Sequence, residues 1–168
     1  MPKIAWRSLF DGPPIKIRYR AGLRDTAGNP ASAATFVRGR ETILDPELQR
    51  HPRQHRRVLL HEYFHFAWVR LGNPRRAAWE AFLKVEWNAH ARGEAGWSAE
   101  WRKQKLSERD VAERSRRWRE YCCESFCDTG AFVMDAYSDR SEITLLAGRR
   151  RARITWFRQN FPGQSFAI

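Results

Sequence analysis

The stretch His61-Glu62-Tyr63-Phe64-His65 determines most of what this chain can be. It lies within residues 56–71, which contain no Pro or Gly and are apolar on nearly every side until Gly72 and Pro74 end the run. This pattern predicts a buried helix. Two histidines four residues apart on a helix project from one face, so both imidazoles can bind a single metal ion. Glu62 would then face a water on that metal and accept its proton. The stretch therefore predicts a zinc site with Glu62 as the general base.

Length and composition indicate a globular protein. The chain has 168 residues, of which 42% are hydrophobic, including eight Trp and ten Phe, and we expect residues 1–168 to form one domain with a packed core. No apolar run approaches the roughly 18 residues that a membrane span needs. The N-terminus does not resemble a signal peptide, so we expect a cytoplasmic protein. The three cysteines, Cys122, Cys123 and Cys127, form a poor disulfide framework, which favours buried free thiols in a reducing compartment.

The net charge is strongly positive. Lys and Arg number 31 against 19 Asp and Glu, which gives +12 at pH 7. Such an excess favours acidic partners, and it makes nucleic acid a candidate partner beside a peptide or protein substrate. The alternative is a solvated basic surface that serves solubility alone.

The first 45 residues predict short strands and turns. Residues 15–19 alternate apolar and basic side chains, which is typical of a half-buried strand. Residues 34–37 and 41–44 flank a short Arg-Gly-Arg segment and predict a hairpin or two neighbouring strands.

The rest of the chain predicts helices. After the motif helix, residues 75–91 and 97–105 each have helical character, with Ser98 as the expected cap of the second. Ser107 begins a capping box and a long helix that either runs to Ala136 or breaks near Thr129 and Gly130. The fold class is therefore α+β: a small N-terminal mixed or antiparallel sheet followed by a helical body that carries the metal site.

A catalytic zinc site needs a third protein ligand. Glu124, on the predicted long helix, is the best candidate because Asp128 follows one turn later on the same face. One carboxylate can bind zinc while the other accepts the second ring N–H of a ligand histidine. His90 and Glu120 remain open as alternative third ligands.

The order His-Glu-x-x-His followed by Glu-x-x-x-Asp on a later helix resembles the gluzincin group of zinc metallopeptidases, over about residues 41–137. The resemblance implies a zincin-like fold and zinc-dependent hydrolysis of peptide bonds. It implies the following roles: His61, His65 and Glu124 as zinc ligands, Glu62 as general base, and Asp128 as the partner of a ligand histidine, expected to be His61.

The same resemblance implies where an extended substrate would lie. It places the substrate on a sheet edge formed by the strand before the motif helix, which comprises Glu41, Thr42, Ile43 and Leu44. An exposed edge offers unpaired N–H and C=O groups for β-augmentation. The residue that steadies the oxyanion is left open among His90, Tyr121, Tyr137 and Arg140.

Two rival interpretations remain. SprT-like proteases also carry His-Glu-x-x-His, use a third histidine further along the chain, and act on DNA-bound proteins. His90 would be that histidine and the +12 charge would suit DNA, although Ala91 stands where that family usually has Gly. The other interpretation is a non-catalytic or regulatory binding protein that keeps the zincin fold.

Overall fold

The computed structural model describes residues 9–25, 28–135, 140–163 and 165–168. Its helices and strands confirm the predicted α+β class. The strands are β1 (Phe10–Asp11), β2 (Lys16–Tyr19), β3 (Ala33–Phe36), β4 (Glu41–Leu44) and β5 (Phe166–Ala167), with a 3-10 helix at Pro46–Arg50. The helices are α1 (Pro52–Arg70), α2 (Gly72–Asn88), α3 (Trp97–Lys103), α4 (Glu108–Ala112), α5 (Arg116–Met134) and α6 (Ala147–Asn160).

The main sheet has three strands in the order β2-β4-β3. β4 runs parallel to β2 and antiparallel to β3, so the predicted hairpin of β3 and β4 is confirmed. β1 and β5 form a separate parallel pair that brings the two ends of the described chain together. The sheet is therefore mixed and lies before the helical body, as the sequence predicts.

The prediction that Glu41, Thr42, Ile43 and Leu44 form the sheet edge is wrong. These residues are β4, the central strand, whose backbone is paired on both sides. Their burial explains the placement, because Thr42, Ile43 and Leu44 are all buried, whereas an edge strand is usually more exposed. β2 and β3 are the two edge strands of this sheet, and no described strand pairs with the outer side of either.

The motif helix α1 packs against α5 along much of its length, which positions the site. Phe64 lies at the contact, and its ring touches Gly130: a Cβ at residue 130 would lie 2.7 Å from the ring. Only glycine allows this approach without a shift of the helices. Aromatic contacts extend the core to α6, with ring centroids 5.8 Å apart for Phe64 and Phe126 and 5.1 Å apart for Phe126 and Phe157.

A fully buried arginine holds the helical body together. Arg153, on α6, has no exposed surface and binds two buried carboxylates, with Nη2 2.7 Å from Glu86 Oε2 and Nη1 2.6 Å from Glu94 Oε2. It also donates to the hydroxyls of Ser125 and Thr129 on α5. Burial alone would raise the pKa of Glu94, but the Arg153 charge outweighs it and lowers that pKa to about 2. The network therefore fixes α5, and with it the third-ligand candidate, against α2 and α6.

Two helix ends differ from the sequence prediction. α3 begins after Gly96 and has no side-chain cap from Ser98; its N-terminus is instead satisfied by Asp128 from α5. The helix that begins after Ser107 has the predicted capping box but ends at Ala112, and Arg114 adopts φ 50° before α5 starts. Across the described ranges, no helix is both long enough and apolar enough to cross a membrane.

Replacing Arg153 with Met should destabilise the fold strongly. The change leaves Glu86 buried without a cation and takes from Glu94 one of its two, since only Lys103 then remains beside it. Breaking a buried ion pair in this way typically costs about 3–5 kcal/mol. Urea denaturation of the purified variant measures the free energy of unfolding. Arg151→Met is the matched control, because Arg151 is exposed on the same helix. Equal stability of the two variants would contradict a structural role for the buried network.

Candidate metal centre

The two motif histidines lie together on the inner face of α1. His61 is buried and His65 is half-buried, and their ring centroids are 4.9 Å apart. This is the arrangement that i and i+4 positions of a helix impose. Both rings open onto a cleft between α1, α3 and β3.

Glu124 on α5 faces both imidazoles. Its Oε2 atom lies 3.2 Å from His61 Nε2 and 3.9 Å from His65 Nε2. Its other oxygen, Oε1, lies 3.2 Å from the Arg102 guanidinium of α3. One carboxylate oxygen and two imidazole nitrogens therefore converge on the same small volume, as the sequence predicts for this residue.

Asp128 holds His61 from behind. Its Oδ1 atom accepts a hydrogen bond from His61 Nδ1 at 2.7 Å, and its Oδ2 atom accepts from the backbone N–H of Ala99 at 2.9 Å. The first bond directs His61 Nε2 toward Glu124. Gly96 makes room for this carboxylate, because a Cβ there would lie 2.5 Å from Asp128. The predicted partner role of Asp128 matches this geometry.

The second nitrogen of His65 has different neighbours. The sulfur atoms of Cys127 and Cys123 lie 3.5 and 3.6 Å from His65 Nδ1. His61, His65 and Cys127 form a group whose donor atoms lie within 4.8 Å of one another and that could hold a metal ion. The sequence favoured free thiols here, and all three cysteines are indeed unpaired, but two of them contact a candidate ligand.

The electrostatics of the site favour a bound cation. Burial alone would lower the pKa of His61, but the carboxylates of Asp128 and Glu124 outweigh it and raise that pKa well above its usual value. For His65, burial is likewise outweighed, here by Cys123 and Glu124, and the pKa rises to about 9. Burial would raise the pKa of Glu124, yet the neighbouring histidines and Arg102 lower it to about 2. The half-buried Glu124 and the buried Asp128 thus place negative charge beside the two imidazoles, an environment that attracts positive charge and fits a divalent metal ion.

Glu62 lies at the floor of the cleft beside the histidines. It is buried, and it forms no hydrogen bond or ion pair with any residue of the described part of the chain. The cleft has a volume of about 650 Å³, and residues 31–35, which include most of β3, form one wall. A carboxylate that lines an open cleft and has no partner among the described residues is available to bind water or substrate.

The remaining predicted site residues lie elsewhere. His90 is exposed beyond the end of α2, and Arg140 stacks on Phe132; neither lines the cleft. Tyr121 is buried, and its hydroxyl donates to Glu94 at 2.6 Å, so it belongs to the Arg153 network. Tyr137 lies outside the described residues. Glu120, the alternative third ligand, is half-exposed and pairs with Arg116 at 2.7 Å.

Sequence reasoning missed the residues that α3 and the turn after it contribute to the cleft. Trp97, Trp101, Arg102 and Lys105 line its wall opposite β3. The tryptophans were expected in the core, but Trp97 is 61% exposed. The i, i+4 spacing of Trp97 and Trp101 was a signal that they share a helix face, although it could not show that this face borders the cleft.

Comparison with protein-family models, with curated proteins and with solved structures finds no match for this chain. The function is therefore inferred from the chemistry of the cleft.

Metal binding should distinguish Glu124 from Cys127 as the third donor. Glu124→Gln should weaken the affinity for added Zn²⁺ strongly, because the amide loses the negative charge between the two Nε2 atoms. Cys127→Ser should change it at most several-fold, because that sulfur contacts the opposite nitrogen of His65. Competition with a chromophoric chelator measures both affinities. A larger loss of Zn²⁺ affinity in Cys127→Ser than in Glu124→Gln would instead assign the site to the His61, His65 and Cys127 group.

The affinity for Zn²⁺ should rise with pH. The raised pKa values mean that both histidines carry protons at neutral pH in the metal-free protein, and the ion must displace them. Each proton displaced changes the affinity by roughly 10-fold per pH unit, so we expect about 10- to 100-fold per unit until the pH approaches 9. Titrations at pH 6.5, 7.5 and 8.5 test this slope. An affinity independent of pH would contradict the protonated ground state.

Proposed function

We propose that this protein is a zinc-dependent endopeptidase with a zincin-like fold. The observation that carries the proposal is the approach of Glu124 Oε2 to Nε2 of both motif histidines, beside an unpartnered Glu62 in an open cleft. This donor set of two neutral nitrogens and one carboxylate oxygen leaves a coordination position for water, as catalytic zinc sites require.

Glu124 is a better third ligand than Cys127 for a geometric reason. His61 is held at Nδ1 by Asp128, so only its Nε2 atom is available to a metal, and Glu124 faces that atom. Cys127 instead approaches His65 at Nδ1, on the side of the ring away from Glu124. A metal between His61 and Glu124 would leave the Cys127 sulfur as a hydrogen-bond partner of His65.

Glu62 is the general base in this proposal. When bound, zinc lowers the pKa of a coordinated water and polarises the substrate carbonyl. The Glu62 carboxylate accepts a proton from the attacking water and later delivers it to the leaving amine. Because no described residue forms a hydrogen bond or ion pair with Glu62, both of its oxygens are available for this transfer. His61 and His65 hold their orientation through the contacts behind them.

The substrate would be an extended polypeptide bound along β3. The outer side of β3 has no strand partner among the described residues, and the strand borders the same cleft as Glu62. An extended chain can add to that edge through backbone hydrogen bonds, which bind without regard to sequence. Side-chain pockets along the cleft would then supply the preference for particular substrates.

The rival interpretations fit the site less well. A SprT-like site needs His90 beside His65, and His90 is exposed beyond α2. A blocked cleft would favour a non-catalytic binding protein, whereas this cleft is open and has a volume of about 650 Å³. The three unpaired cysteines support a reducing compartment, and we propose the cytoplasm.

Replacing Glu62 with Gln should abolish hydrolysis while leaving zinc bound. The amide keeps the shape of the side chain but cannot accept the proton, and a general base typically contributes roughly 10² to 10⁴ in rate. Digestion of a denatured protein mixture, read by mass spectrometry, measures cleavage, and elemental analysis measures zinc. Glu113→Gln, at an exposed position just after α4 that does not line the cleft, is the matched control. Cleavage at the wild-type rate by Glu62→Gln would remove this residue from the mechanism.

A further inference from the structure

A second cavity adjoins the cleft on the side of α3. Its volume is about 470 Å³, and Trp101, Arg102 and Lys105 line both cavities. Arg117 and Glu120, on the first two turns of α5, complete its lining. Arg102 also contacts Glu124, so the wall that separates the cavities reaches the candidate metal ligand directly. A molecule in the cleft would therefore lie directly beside this cavity.

The second cavity has an excess of positive charge. Its one carboxylate, Glu120, is already paired with Arg116. Of its cations, Arg102 is held by Glu124, whereas Lys105 and Arg117 are exposed and form no salt bridge with any residue of the described ranges. Two cations are thus available to an anionic group.

We propose that this cavity binds an acidic side chain of the protein substrate, next to the peptide bond that is cleaved. The inference rests on the proposed endopeptidase function, because the cleft beside this cavity is the one that would hold the substrate. A Glu or Asp side chain that enters from the cleft would meet the Lys105 ammonium and the Arg117 guanidinium. The +12 charge of the chain would also attract acidic proteins over longer distances.

The indole of Trp101 favours a carboxylate over a nucleic-acid base. The Arg102 guanidinium and the Lys105 ammonium lie 4.3 and 4.4 Å from the centre of its ring system. A base could stack there only by displacing these cations, and stacking on aromatic side chains is a main source of affinity for single strands. A carboxylate needs no free indole face, because it binds the cations where they already lie.

Binding by the Glu62→Gln variant, loaded with zinc, tests the proposal without relying on turnover. The probes are fluorescent octapeptide pools in which one position is Glu or Gln and the others are uncharged. At one or two positions, Glu pools should bind roughly 3- to 10-fold more tightly than Gln pools at low salt, and added salt should reduce the difference. Charge reversal of both free cations, K105E with R117E, should abolish or invert the preference.

The matched control is R151E with R158E, which changes the net charge equally at exposed positions of α6. This control should keep the Glu preference. Equal effects of the two double variants, or no difference between Glu and Gln pools, would overturn the proposal. A third outcome would also overturn the proposal: the Glu and Gln pools bind equally, and an oligonucleotide binds the parent protein and the control but not K105E with R117E. That result would assign the cavity to nucleic acid. If Glu pools bind as expected but the wild type cleaves none of them, the acidic subsite stands and the endopeptidase proposal fails.

Discussion

The Asp128 carboxylate connects three helices at the point where the candidate site is built. It belongs to α5, accepts a hydrogen bond from His61 of α1 with one oxygen, and satisfies the N-terminus of α3 with the other. A buried carboxylate is stable only where both oxygens have partners. The position of Asp128 therefore fixes the ring of His61 and the start of α3 together. The cleft walls and the metal position thus depend on one side chain.

Two close approaches make that connection feasible. Gly130 lets α5 lie against Phe64 of α1, and Gly96 leaves space for Asp128 below the start of α3. The Arg153 network then holds α5 from the opposite side through Ser125 and Thr129. Such buried ion pairs add little net stability, but they penalise any arrangement that leaves one charge unpaired. The site is rigid because its supporting helix is held on both faces.

Much of the candidate site could be predicted because its residues lie at helical spacings. His61 and His65 share a face of α1, and Glu124 and Asp128 share a face of α5, so the sequence pattern alone places each pair. The order of the strands in the sheet was harder to predict, because it depends on pairing between segments that are distant in the sequence. The edge was assigned to residues 41–44 instead of β3 for that reason. The cleft wall on α3 was also missed, since nothing local indicates that Trp97 is exposed or that Arg102 reaches Glu124. The contact of the Cys123 and Cys127 thiols with His65 was likewise not predictable, because it depends on how α5 packs against α1.

The charges around the two motif histidines are consistent with the proposed zinc site. The half-buried Glu124 and the buried Asp128 lie beside two imidazoles whose raised pKa values indicate a site that attracts positive charge. A divalent ion would satisfy that demand, and Glu62 forms no hydrogen bond or ion pair within the described part of the chain. X-ray absorption at the zinc edge of the zinc-loaded protein tests the central claim most directly, because it measures the ligand atoms themselves. The account predicts only nitrogen and oxygen neighbours at about 2.0–2.2 Å. A sulfur neighbour at about 2.3 Å would contradict it and place the metal on Cys127.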